Sequence, residues 1–278
     1  MAETAASSIP WHPAFVQAVM LELEPWQDSL EFIPEYQLTS EPLKIDVVIV
    51  KKAPDLVIDK NIARIFRRIN ILEYKSPDDY FSVSDFYMVL SYAFLYAALN
   101  NAAPEDLTVS IVETRHPREL LKHIGEGRGG VNETAPGIYQ ITGYPLAIQI
   151  IESGKLSFEE NLWLKGLAKD LNPAAAGSIL KESRKRGLGT GLRAYLYALV
   201  TANLRAIQEV VAMSDEVAAF DQWVEEMGWA AKWRAEGEAR GEARGEKTGW
   251  QKALDLLKRG YTVEDLERMN PPSPQKGK

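Results

Sequence analysis

Pro42-Leu43-Lys44-Ile45-Asp46-Val47-Val48-Ile49-Val50 and Ile69-Asn70-Ile71-Leu72-Glu73-Tyr74-Lys75-Ser76-Pro77 are short runs rich in Val, Ile and Leu, the composition of buried strands. Each carries an acid where an apolar residue is expected. A carboxylate in a buried strand is costly unless it is paired or holds a cation, so Asp46 and Glu73 need partners. Lys75 follows Glu73 by two residues, and strand alternation sets both on one face. Two carboxylates and a lysine converging across adjacent strands form a hard-cation site beside an ammonium, a chemistry suited to phosphodiester hydrolysis.

Composition narrows the classes. A chain of 278 residues with 46% hydrophobic content suits one large domain or a domain with an appendage. It has no run of eighteen apolar residues and no signal-peptide pattern at Met1-Ala2-Glu3-Thr4, so a cytoplasmic protein without a membrane partner is expected. With no cysteine, thiolate chemistry and disulfides are excluded, and three histidines (His12, His116, His123) leave any metal to oxygen ligands. A net charge of -7 argues against general coating of nucleic acid. Local basic groups remain. Lys51, Lys52, Arg67 and Arg68 flank the two acidic strands and are the candidate nucleic-acid contacts, while Arg115, Arg118, Lys122 and Arg128 cluster further on; the competing reading is solvated surface charge.

The spacing predicts a helix from Pro13 to about Glu24, with Glu22 continuing its apolar stripe, then a strand over Glu31 to Leu38 that carries Glu35. One or two helical turns are expected between Val57 and Arg68. A helix capped by Ser82 or Ser84 runs to Asn100, apolar nearly all round and therefore buried, and a strand follows at Leu107 to Glu113. Gly125, Gly127 and Gly130 match G-x-G-x-x-G by letter, but the loop follows a helix and precedes a strand, the reverse of a dinucleotide-binding turn. Strands at Ile138 to Ile141 and Leu146 to Ile151 close a first domain near residue 152. The expected class is α/β with a mixed central sheet, followed by an all-helical C-terminal region.

In that region, residues 153–227, Ser157-Phe158-Glu159-Glu160 reads as a capping box, and helices are expected over Ala174 to Arg186 and Leu192 to Met213. Residues 228–278 hold a repeat of period four with Gly237, Gly241, Gly245 and Gly249 on one stripe, then a tail expected to be disordered. The repeat reads as a solvated helical spacer or as a seam for a homodimer through the C-terminal helices.

Asp46, Glu73 and Lys75, standing as Ile45-Asp46-Val47 and Glu73-Tyr74-Lys75 on successive strands, resemble the active-site signature of the PD-(D/E)XK nuclease superfamily, whose fold is restriction-endonuclease-like. The order helix, three strands, helix, strand over residues 11 to 114 is similar to that superfamily's core. The proline of the signature stands at Pro42, four positions before Asp46. The whole chain further resembles bacterial recombination-promoting nucleases and transposase-like proteins. The resemblance implies Asp46 and Glu73 as ligands of Mg²⁺ or Mn²⁺, with the backbone carbonyl of Tyr74 as a further ligand and Glu22 or Glu35 as an additional one. It also implies that Lys75 orients or deprotonates the attacking water and stabilises charge on the phosphate.

The implied function is metal-dependent hydrolysis of DNA, in recombination, defence or mobile-element biology. The alternative is a catalytically silent binding or scaffold protein that assembles through its helical tail. For the triad itself, the alternative is a buried structural ion pair between Lys75 and Asp46 or Glu73.

Overall fold

The computed structural model describes residues 9–37, 44–53, 55–127, 129–187 and 190–213. The expected glycine-repeat seam, the last tryptophans and the tail lie outside these residues. By contact the chain groups into two units, Met1–Asn203 and Leu204–Lys278.

The first unit is built on a mixed seven-stranded sheet. In chain order the strands are β1 (Leu30–Gln37), β2 (Lys44–Lys51), β3 (Ile69–Lys75), β4 (Leu107–Glu113), β5 (Gly130–Ala135), β6 (Ile138–Thr142) and β7 (Ala147–Glu152), arranged β1-β2-β3-β4-β7-β6-β5. β3, β4 and β7 run parallel to one another, and the outer pairs are antiparallel. Parallel neighbours require a crossover, which α2 (Val83–Leu99) supplies between β3 and β4. The observed order from α1 (Trp11–Glu22) onward is helix, three strands, helix, strand.

Strand alternation sorts the two faces. Ile71, Val109 and Ile148 stand in register across β3, β4 and β7, fully buried in one core with Phe86, Val89 and Ala93 of α2. Burying such side chains stabilises by about 1.5–3 kcal/mol each. Tyr74 points to the other face, where the Phe15 ring of α1 stacks on it at 4.5 Å and 8°. That face also holds a buried polar row. Thr108 Oγ1 donates to Asn70 Oδ1 at 2.7 Å, and Gln149 Nε2 donates to the carbonyl of Ile62 at 2.6 Å. Hydrogen bonds of this kind make polar groups tolerable inside a sheet. They also tie down the segment between β2 and β3.

α2 starts at a capping box in which Ser82 accepts from the Asp85 N–H while Asp85 accepts from the Ser82 N–H. The helix is less enclosed than its composition suggests. Tyr87, Met88, Phe94 and Leu99 are 40–56% exposed, because only one stripe of the helix meets the sheet.

α3 (Arg118–Glu126) precedes β5, an exposed edge strand that apolar alternation could not reveal, since Asn132, Glu133 and Thr134 carry no apolar face. Among the described residues between β2 and β3, the helical structure is a three-residue 3-10 turn, Asn61–Ala63. Ser157-Phe158-Glu159-Glu160 forms a turn, although Ser157 Oγ does accept the Glu160 N–H. The helix after it, α4, covers only Leu162–Lys165. α5 (Pro173–Arg186) is capped by Asn172, and the helix expected over Leu192 to Met213 is two, α6 (Thr190–Ala202) and α7 (Leu204–Met213), interrupted at Asn203. α1 packs on α4 and α6 within the first unit. Among the described residues no helix is long and apolar enough to cross a membrane.

Candidate active site

Asp46 and Glu73 lie one step beyond the last paired residues of the antiparallel β2–β3 ladder, Val47 and Leu72. Continuing that register sets them opposite each other. Asp46 Oδ2 accepts the Tyr74 N–H at 2.8 Å, and His12 Nε2 of α1 stands 3.6 Å from Asp46 Oδ1. The carboxyl groups of Asp46 and Glu73 lie within hydrogen-bonding reach of each other, and Glu73 Oε1 is buried without a partner.

Two acids so placed cannot both ionise cheaply. Burial, then the Asp46 charge, pushes Glu73 up to about 9. Burial also holds Asp46 above its ordinary value, against the opposing pull of His12 and the Tyr74 N–H. Burial and mutual repulsion thus both favour a proton shared between the two carboxyls. A divalent cation would take the place of that proton.

Lys75 is two residues beyond Glu73 on the same face, but its partners are new. Its Nζ lies 3.4 Å from Asp85 Oδ1 and 3.5 Å from Asp79 Oδ2, and 5.7 Å from the centre of the Phe81 ring. The alternative reading, an ion pair of Lys75 with Asp46 or Glu73, is not formed among the described residues: Asp79, in the turn after β3, and Asp85, in the first turn of α2, take its charge instead. Partial burial pulls the Lys75 pKa down, yet Asp85 and Asp79 outweigh it and hold the group above its ordinary value. Lys75 is thus a cation at any physiological pH.

The remaining expected residues are dispersed. Glu22 is buried, with Oε2 2.5 Å from Lys60 Nζ and Oε1 accepting the N–H groups of Trp163 and Leu164 at 2.8 and 3.1 Å. Its partners are thus Lys60 and α4 rather than Asp46 and Glu73. Glu35 is exposed at a φ of 48°, between the ladder pairs Pro34–Val47 and Tyr36–Ile45, with its carboxylate 3.4 Å from Lys44 Nζ. Lys51 Nζ donates to the Leu56 carbonyl and Lys52 Nζ to the Asp28 carbonyl, both at 2.9 Å. Arg67 donates to the Glu105 carbonyl at 2.5 Å, and Arg68 Nε lies 3.6 Å from Asp106.

Sequence reasoning missed His12, Asp79, Asp85 and two acids at the strand ends, Glu113 and Glu152. In the parallel ladders Lys75 aligns with Glu113 and Glu113 with Glu152. Burial, reinforced by Glu152, pushes Glu113 up to about 7; its Oε2 accepts the Phe81 N–H at 3.3 Å and its Oε1 has no partner. Glu152 is the contrary case. Burial raises it, but hydrogen bonds from His116, Tyr139 and Lys155 more than offset that and leave it below its ordinary value. The signal for both was available, since each is an acid ending a strand rich in Val and Ile.

The donor set fits a hard cation of the Mg²⁺ type. Among the described residues no three His, Asp or Glu side chains form a cage, but Mg²⁺ is commonly held by one or two carboxylates with waters and substrate phosphate completing its shell. Asp46, Glu73 and the Tyr74 carbonyl could supply the protein's share. No family model matches the chain, and neither a curated protein nor a solved structure is significantly similar to it.

Proposed function

We propose that this protein is a metal-dependent nuclease of the PD-(D/E)XK type, with a restriction-endonuclease-like core that hydrolyses DNA phosphodiester bonds. The observation that carries the reading is the buried Asp46–Glu73 carboxyl pair with an orphaned Glu73 oxygen, two residues from a Lys75 held by Asp79 and Asp85. A proton held between two buried acids is a weak substitute for a divalent cation.

Mg²⁺ or Mn²⁺, when bound, supplies Lewis acidity toward a phosphate oxygen. The chain's own residues do the rest. The Tyr74 N–H fixes the orientation of the Asp46 carboxylate. Asp79 and Asp85 keep Lys75 charged and aimed, so its role is to stabilise negative charge building on the phosphate rather than to remove a proton. His12, 3.6 Å from Asp46, is half exposed and available to hold or relay a proton at the edge of the site.

The test is cleavage of supercoiled plasmid by the full chain with Mg²⁺ or Mn²⁺, beside a chelator control. Lys75→Ala should lower the rate about 10²–10³-fold, the usual cost of removing one preorganised charge, and Asp46→Ala should abolish metal dependence. Silence of the folded wild type on plasmid, linear DNA and single strands sinks the reading.

One observation favours a second reading, a catalytically silent binding or scaffold protein. Lys51, Lys52, Arg67 and Arg68 each bind an acceptor of their own chain, which leaves less of that basic surface for phosphates. Cleavage decides between the two.

A further inference from the structure

At the carboxyl ends of the parallel strands β3, β4 and β7 the first unit opens a cavity of about 480 Å³. Ligands of open α/β sheets bind outside the carboxyl ends of the strands, and this volume lies in the range of small-ligand pockets. Pro77 and Asp78 form one wall, two and three residues beyond Lys75, and Thr114 and Arg115 form another, just beyond Glu113. At 3.8 Å per Cα step, Pro77 is within about 8 Å of Lys75 along the chain. Gly154 closes the floor. A Cβ there would meet the Thr114 carbonyl oxygen at 2.6 Å, so only glycine allows the two loops to lie so close.

The chemistry of the lining is amphipathic. Three cations, Arg115, Lys165 and Lys169, face two carboxylates, Asp78 and Asp170. Lys169 is paired with Asp78. Lys165 Nζ donates to the Gly154 carbonyl at 2.7 Å and stands 5.3 Å from the centre of the Phe158 ring, and among the described residues no carboxylate pairs with it. Arg115 is exposed, and among the described residues its guanidinium makes no hydrogen bond or ion pair. Phe158, Leu171 and Ala175 add apolar surface beside these cations. A free guanidinium, a second unneutralised cation and an aromatic ring match a phosphate carrying a nucleoside.

We propose that this cavity is a subsite for a nucleic-acid strand, with Arg115 and Lys165 holding a phosphate next to the one at the candidate active site. The assignment rests on the nuclease reading for the identity of the strand, but not for its measurement. Arg115 is the specific anchor and Lys165 the supporting charge. The Asp78–Lys169 pair joins the loop that carries Asp79 to the segment before α5, and so couples the cavity wall to the residues that hold Lys75.

The experiment is binding of a short fluorescein-labelled oligonucleotide to the full chain, by anisotropy in chelator so that nothing is cleaved. Arg115→Ala should weaken binding about five- to tenfold and reduce the salt slope by about one, Lys165→Ala should weaken it less, and Lys181→Ala, an exposed lysine further along α5, should leave it unchanged. A deoxynucleoside 5′-monophosphate should compete better than inorganic phosphate. Circular-dichroism melts verify that Arg115→Ala is folded. The proposal is overturned if Arg115→Ala binds like wild type, if the wild type binds no oligonucleotide, or if the mononucleotide binds and the strand does not. Plasmid cleavage indifferent to Arg115 sinks the subsite alone, whereas Arg115-dependent binding without cleavage sinks the catalytic reading alone.

Discussion

Glu22 at the end of α1 and Glu73 near the end of β3 are both glutamates enclosed by the same sheet-and-helix unit. Glu22 receives a lysine at 2.5 Å and two backbone N–H groups from the start of α4. Among the described residues, Glu73 receives no cation within ion-pairing distance, lies against another carboxyl and keeps one oxygen unpartnered. Burial raises the pKa of both, but at Glu22 it is opposed by Lys60 and the two N–H groups, whereas at Glu73 the nearest charge adds to it. A satisfied buried carboxylate holds elements together. An unsatisfied one stores unfavourable energy that a ligand can release, and such groups concentrate at functional sites.

The largest effect expected from this contrast is on stability. Glu22→Ala leaves Lys60 and two N–H groups without their acceptor and should cost about 3–5 kcal/mol in denaturant unfolding, the range for breaking a buried pair. Glu73→Gln mimics the protonated acid and removes a like-charge clash, so it should change stability by less than about 1 kcal/mol or raise it. Equal losses at the two positions would erase the distinction.

pH sharpens it next. Glu73 has a folded pKa raised to about 9 from an ordinary 4.5, so the folded state binds more protons than the unfolded state between those values. The associated stability is fully present below about 4.5 and is lost as pH rises through about 9, with a slope of at most about 1.4 kcal/mol per pH unit. Thermal melts of wild type should show this decline, and Glu73→Gln should flatten it. Mg²⁺ should flatten it too, with release of about one proton detectable by calorimetry in buffers of different ionisation enthalpy. Metal binding without proton release would count against a shared proton at the site.

A smaller effect tests the support of Lys75. Ser82→Ala removes half of the capping box that fixes Asp85, and should cost about 1 kcal/mol while loosening an Asp85 contact that Lys75 uses. The smallest belongs to the exposed basic groups. Lys52→Ala should alter stability by less than about 0.5 kcal/mol, because its carbonyl contact is solvated. A large loss there would mean that Lys52 has a structural role.

Much of this architecture was legible in the residues. Ile69-Asn70-Ile71-Leu72 and Leu107 to Glu113 declared buried strands by composition, and Ser82 or Ser84 marked the start of α2, which the structure assigns to Ser82. β5 was not legible, because an edge strand wet on both faces needs no apolar alternation. Ser157-Phe158-Glu159-Glu160 misled for a related reason. A capping pattern lowers the cost of starting a helix, but only packing decides whether the helix continues.

The sequence by itself determined that Asp46, Glu73 and Lys75 share one region, since strand periodicity and chain spacing are local properties. Only the tertiary structure decided their partners. It brought His12 from α1 to Asp46, turned Asp79 and Asp85 onto Lys75, and drew Glu22 away to Lys60 and α4. Pairing energies depend on distance and burial in three dimensions, and contacts between residues as far apart as Glu22 and Trp163 leave no periodic trace in the chain.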